Sequence, residues 1–207
     1  RDRSPSRGLG DVYKRQGIVP GLWLDAFAGY AVIKSAAFFV PSDYLGEPYD
    51  FGNYHVAFQP DATWMRLGAS LKYAYRQTVD FSVKAVYNRG TFRKGEGNSW
   101  LSGAGMSNMK PYGCPAVEVN ADLTVRPITP LSLTLDYYLG ARRVTLFHGD
   151  NIKMSDLHDL NFTAAYNLND MFGAYLKFTN ILSRGQDLWY GYPMQRFGFM
   201  GGININF

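Results

Sequence analysis

Five residues with the chemistry of metal ligands or proton carriers fall close together: His148, Asp150, Asp156, His158 and Asp159. Imidazole nitrogen and carboxylate oxygen are ordinary ligands of divalent cations, so this group is the first place to look for a metal. The surrounding residues favour a plainer reading, a solvated loop that leads into a strand. Ser155 beside His158 and Asp159 also supplies the residue types of a hydrolytic triad. Adjacent strand positions point to opposite faces, however, so His158 and Asp159 cannot converge on one substrate. The single Cys114 excludes an internal disulfide framework and any multi-cysteine metal site. No phosphate loop, dinucleotide fingerprint or Cys/His metal spacing is present. The expectation is a chain that is no enzyme, with no catalytic, metal or cofactor-binding residues.

The chemistry therefore lies in surfaces, and the clearest is the closing stretch, residues 195–207. Phe197, Phe199, Ile203, Ile205 and Phe207 fall on one parity, with Gly201 the small member of that series. Gly198, Gly202, Asn204 and Asn206 fall on the other. A period of two with unlike faces is a strand. Ending the chain on an apolar aromatic requires a nonpolar solvent or a partner for that face, and an outer-membrane β-barrel supplies one. An edge strand of a soluble sandwich would alternate in the same way, so the rest of the chain must decide.

Residues 1–16 show no periodicity, and their wording resembles adapter read-through at the end of an assembled reading frame; they are expected to be a non-native or disordered leader before a domain at 17–207. The leader carries a net +3 of the chain's +4. Without it no basic stripe survives, which removes a nucleic-acid partner. Aromatics make up 16% of the chain, with 15 Tyr, 14 Phe and 22 Gly, yet the mean hydropathy is −0.20. Alternation of lipid-facing and lumen-facing residues produces that combination, whereas a helical membrane protein raises the mean itself. The apolar stretch 21–40 is long enough for a helical span, but Asp25 and Lys34 interrupt it, and each charge near a helix centre costs about 2.5–3.5 kcal/mol.

Eight strands can be read. Residues 22–32 form the first, with the weakest alternation, followed by an irregular loop at 41–53. Met65 to Tyr75 and Val79 to Asn88 make a hairpin around Gln77-Thr78, in which Trp64 falls on the polar side. A loop is expected at 89–115. Val117 to Arg126 and Leu131 to Gly140 follow, turned by Pro127-Ile128-Thr129-Pro130, with both prolines outside any central ladder position. After a loop around 148–155, Asp159 to Tyr166 and Phe172 to Thr179 pair through Asn167-Leu168-Asn169-Asp170. A loop at 183–193 precedes the closing strand. Connections alternate short and long, as in membrane barrels. Aromatics gather toward both ends of the strands: Tyr73, Tyr75, Phe81, Tyr166, Phe172 and Phe207 near the short turns, and Tyr87, Phe178, Phe197 and Phe199 near the long loops.

Asn180-Ile181-Leu182, then Leu188-Trp189-Tyr190-Gly191-Tyr192-Pro193, then the strand closing on Phe207, resemble the C-terminus of TonB-dependent outer-membrane receptors of the Bacteroidetes type. The DAFAGY and FFVPS segments, at 25–30 and 38–42, are similar to the same group. The resemblance implies an all-β fold of antiparallel transmembrane barrel strands, about eight here, forming the C-terminal third of a 22-strand barrel in the cell outer membrane. In that family the barrel closes around a plug preceded by a TonB box, and neither is present. The implied function is nutrient uptake, with TonB engaged only through the missing N-terminal part and a small-molecule or glycan ligand of unknown identity. Outer-membrane lipid and the barrel-assembly machinery are the other implied partners. Phe199, Ile203, Ile205 and Phe207 match the spacing of the assembly signal, and Trp189, Tyr190 and Tyr192 are candidate extracellular loop contacts. The alternative is a self-contained eight-stranded barrel acting as adhesin, anchor or enzyme.

Overall fold

The computed structural model describes residues 10–41, 54–92, 110, 112–147 and 150–205. Thirteen strands run in chain order: β1 (Gly10–Val19), β2 (Leu22–Pro41), β3 (Tyr54–Tyr75), β4 (Val79–Phe92), β5 (Val117–Ile128), β6 (Leu131–Ala141), β7 (Val144–Phe147), β8 (Asp150–Lys153), β9 (Leu157–Asn167), β10 (Phe172–Thr179), β11 (Asp187–Trp189), β12 (Tyr192–Pro193) and β13 (Gly198–Ile205). Nine of them form one sheet in the order β1-β2-β3-β4-β5-β6-β9-β10-β13, and every neighbouring pair is antiparallel. The remaining four make two small hairpins, β7–β8 and β11–β12, at the long-loop end.

All eight strands read from the sequence are present, and the ninth is β1. Its pairing with β2 runs from Gly10 opposite Tyr30 to Val19 opposite Leu22. The expected leader boundary at residue 16 therefore falls inside a strand: 10–16 belong to the sheet, held by ladder bonds to β2 that no local pattern announces. Residues 1–9 lie outside the described ones. Several strands also outrun their expected ends. β2 continues to Pro41, β3 begins at Tyr54, and β4 takes four residues, Arg89 to Phe92, from the expected 89–115 loop. Regular pairing flanks Pro60, with Lys34 opposite Asp61 and Ala36 opposite Gln59; proline has no N–H for the ladder, which disguises this strand in the sequence. The rest of the 41–53 loop lies outside the described residues. The expected loops at 148–155 and 183–193 hold β8, β11 and β12.

Alternation decides which way the sheet faces. On β2, Leu24, Ala26, Ala28, Tyr30 and Val32 are exposed while Trp23, Asp25, Phe27, Gly29 and Ala31 are half-buried. Register continues this apolar face across the sheet: Leu22, Tyr73, Phe81, Leu123, Leu135, Phe162, Phe178 and Phe199 are successive cross-strand partners. At β13 the apolar side chains are bare, with Phe199 76% and Ile203 74% exposed. The molecule exposes 14118 Å², where a compact monomer of its mass exposes about 9,700 Å². Among the described residues only Ala62, Val86, Tyr112, Met154 and Leu157 are buried apolar residues. This is a sheet that has not covered its oily side with protein.

The opposite face is polar and internally bonded. Ser82 Oγ donates to Asp122 Oδ2 at 2.8 Å, Asn88 Nδ2 to Glu118 Oε1 at 2.6 Å, and Thr124 and Thr134 share a hydrogen bond at 3.1 Å. Arg126 pairs with Asp80 near the short turns. Large rings on this face lie over glycines on the neighbouring strand. Phe27 covers Gly68, where a Cβ would come 2.3 Å from the ring, and Tyr175 covers Gly202, where it would come 2.5 Å. Arg66 and Lys84 in turn lie 5.9 and 5.3 Å from the Phe27 centroid. Such ring-on-glycine pairs pin register and permit local curvature.

Candidate functional site

The long-loop end carries a cap built from the described parts of three connections: residues 112–116 before β5, the β7–β8 hairpin and the β11–β12 hairpin. Arg143, between β6 and β7, lies at its centre and is 1% exposed. Its Nη1 donates to the Asp187 carbonyl at 2.7 Å and to the Ser155 carbonyl at 3.4 Å, and Nη2 donates to the Leu188 carbonyl. Its Nε has no partner among the described residues. Burial pulls the guanidinium pKa down, against the opposing pull of Tyr138, Asp187, Asp156 and Cys114. An arginine starts high enough to stay charged at physiological pH all the same.

Gln186, 3% exposed, ties the same loop to the sheet. Its Nε2 donates to the His158 carbonyl at 2.6 Å and its Oε1 accepts from the His158 N–H at 2.8 Å. β10 pairs with β9 up to Phe178 opposite Phe162, and the Ile181 N–H still reaches the Leu160 carbonyl. Gln186 takes the next place on that edge with a side-chain amide. Asn180 braces the loop's base: its N–H donates to Asn161 Oδ1 at 3.0 Å and its Nδ2 to the Gln195 carbonyl at 2.5 Å.

The other two connections lock on in the same way. Gly113 N–H donates to the Val144 carbonyl at 3.1 Å, and Tyr112 Oη to Asn151 Oδ1 at 3.0 Å. Gly113 has a φ of +74°, and the Trp189 ring lies where a Cβ would stand, 2.5 Å away. Both facts demand glycine there. Trp189 thus bridges the β11–β12 hairpin to the β4–β5 connection, and its register partner is Tyr192. Both rings remain partly exposed, while Tyr190, at the turn between them, is half-buried. The structure brings the three expected loop contacts together on one hairpin. Arg143, Gln186 and Asn180, which hold that hairpin, went unread: in sequence they are indistinguishable from solvated loop residues.

Among the described residues, Asp156, His158 and Asp159 of the His/Asp group do not converge. His158 is opposite Leu139 on the apolar face, where its Nδ1 shares a hydrogen bond with Tyr137 Oη at 2.8 Å. Asp159 is opposite Tyr138 on the polar face and accepts from Asn161 Nδ2. Asp156 accepts the Arg142 N–H at 3.0 Å, and His148 lies outside the described residues. No cluster of three or more His, Cys, Asp or Glu suited to a metal ion occurs among the described residues. Of the expected assembly residues, Phe199, Ile203 and Ile205 stand exposed in a row on β13, and Phe207 lies outside the described residues.

No family model and no curated protein sequence matches the chain. Its shape does find counterparts. Over 95% of its length it matches the copper transporter OprC (TM-score 0.67, 13% identity), the ferric-catecholate import receptor Fiu of E. coli K12 (0.67, 12%), and the ferripyoverdine receptor of the outer membrane of Pseudomonas aeruginosa (0.61, 9%). The fold is an antiparallel sheet of barrel strands shared with these proteins. The chain spans less than a third of each counterpart, 30%, 27% and 26% respectively. At these identities the likeness concerns the fold, and the apolar exposed face of the sheet agrees with it independently.

Proposed function

We propose that this chain is the C-terminal barrel portion of a TonB-dependent receptor of the outer membrane, of the Bacteroidetes type, which takes up a nutrient as part of a larger protein. The observation that carries this reading is the open sheet: β1 and β13 are its two edges, and they do not pair with each other among the described residues. An exposed edge is a template for further strands, and a barrel removes edges by closing. The resemblance of residues 180–193 and of the closing strand supports the same assignment. Further strands, the plug and the TonB contact would come from sequence upstream.

In this reading the apolar face meets lipid, the polar face lines the lumen, and the long loops lie outside the cell. The cap of Trp189, Tyr190 and Tyr192 then faces the medium, where aromatic rings suit stacking on a planar or ring-bearing solute. The counterparts carry copper, a ferric catecholate and a ferripyoverdine by name, in keeping with a small-molecule ligand, with a glycan the other candidate. Phe199, Ile203, Ile205 and Phe207 serve as the signal read by the barrel-assembly machinery.

Sequencing the genomic DNA upstream of the codon for Gly10, the first residue of β1, tests the proposal. It predicts further barrel strands preceded by a plug. A signal peptide directly before β1 would overturn it.

A further inference from the structure

Register puts the apolar faces of β2, β3 and β4 on one ruler. On β3 the face reads Tyr75, Tyr73, Leu71, Ala69, Leu67, Met65 and Thr63, with Leu22 to Val32 alongside on β2 and Val79 to Thr91 on β4. From Tyr75 to Met65 the strand rises about 33 Å at ~3.3 Å per residue, which at a barrel tilt of roughly 40° is about 25 Å of height. That is the height of the apolar band of an outer-membrane barrel. Between the short turns and the level of Met65 these three strands place no Asp, Glu, Lys or Arg on the face.

The first charge is Arg89. It stands directly opposite Met65, whose other partner is Tyr30. Tyr30, 54% exposed, and Tyr87 lie at the top of the band, and Thr63 and Thr91, opposite each other, lie one step beyond Arg89 on the same face. Arg89 is exposed and forms no ion pair among the described residues. Lys34, also exposed, lies further up on the same face. The boundary thus presents the Arg89 guanidinium between a pair of tyrosines and a pair of threonines.

We propose that Arg89 binds a phosphate carried by a lipid headgroup in the leaflet at the long-loop end. A guanidinium fork matches two phosphate oxygens at once, and the Thr91 hydroxyl can donate to a third, the Thr63 hydroxyl being given to the Thr91 carbonyl at 3.5 Å. A phosphate tethered to acyl chains meets the aromatic girdle and the charge together, which a free anion does not. The site rests on the membrane reading above.

The test uses the full chain reconstituted in phosphatidylcholine vesicles doped with phosphatidic acid. Native mass spectrometry of the released protein counts retained lipids, and flotation first scores insertion. R89Q is expected to lower retained phosphatidic acid by about fivefold relative to phosphatidylcholine. R89K should keep most of it, and K84Q, on the polar face, should keep all of it. Equal retention by R89Q and the parent, an equal loss in K84Q, or displacement of the lipid by the same concentration of inorganic phosphate would each overturn the site. If the parent chain does not float, the membrane reading fails and the site with it; if it floats and R89Q retains lipid, the site alone fails.

Discussion

The side-chain amide of Gln186 pairs with the backbone of His158 as a strand residue would, donating to its carbonyl at 2.6 Å and accepting its N–H at 2.8 Å. One side chain thereby fills the ladder position that β10 vacates. Replacing it with alanine leaves two backbone groups without partners, at about 1–3 kcal/mol for each one kept from water. In Gln186→Ala the His158 amide should exchange with deuterium roughly tenfold faster or more, and protease should cut within 183–197 sooner. Gln186→Glu, which keeps only the acceptor, should fall between. Unchanged exchange at His158 would show that the hairpin is held by other contacts.

The β3–β4 turn is strained by its own residues. Arg76 and Gln77 both have positive φ, 49° and 58°, in a tight hairpin closed by Thr78 N–H to the Tyr75 carbonyl at 2.9 Å. Side chains resist this conformation and glycine does not. Gln77→Gly should stabilise the folded sheet by about 1 kcal/mol, because Arg126 reaches Gln77 only through its carbonyl and keeps that bond. Urea unfolding in detergent checks the sign, and a lower midpoint for the glycine variant would contradict it.

Cys114 sits in the β4–β5 connection, outside the spanning strands. The residue is exposed, yet the protein around it partly desolvates the thiol and raises its pKa above the ordinary value; Glu118 adds to the rise, and Arg143 opposes it. A raised pKa means less thiolate at any given pH. Alkylation by iodoacetamide at pH 8 should therefore be slower than that of a free cysteine peptide and should keep accelerating at more alkaline pH. Arg143→Met should push the profile further up and Glu118→Gln should bring it down. A rate matching the peptide, indifferent to both substitutions, would count against this electrostatic picture.

On β13 the residues that face outward are set by the parity that ends at Phe207. Phe207→Asp, made in the intact gene, should sharply reduce the amount of protein in purified outer membranes, while Asn206→Asp, on the other parity, should have a much smaller effect. Quantitative immunoblots compare the two. Equal amounts would remove the signal role from this strand.

What could be read in advance follows from how far each interaction reaches. Alternation is local, so eight strands, their short turns and both faces were visible in residue order. Even Trp64, which breaks the pattern, is accounted for: it lies on the polar face opposite Gly90. β1 was invisible because Asp11, Lys14 and Arg15 blur its period and its place comes from pairing with β2. Pro60 hid the upper half of β3 in the same way. The cap was the least legible part, since Arg143 and Gln186 act on backbone groups remote in sequence, which carry no side-chain signature.

The central claim is that the exposed apolar parity faces lipid and the other parity faces water. Nitroxide labels placed singly in the full chain, in a Cys114→Ser background, measure this directly. In vesicles, labels at Leu67, Ala69, Leu71, Leu133 and Leu135 should collide with oxygen more than with a nickel chelate. Labels at Ser70, Lys72, Thr134 and Asp136 should do the reverse, giving a period of two in the accessibility ratio. Uniform access to the nickel chelate on both parities, or an inverted alternation, would contradict the account.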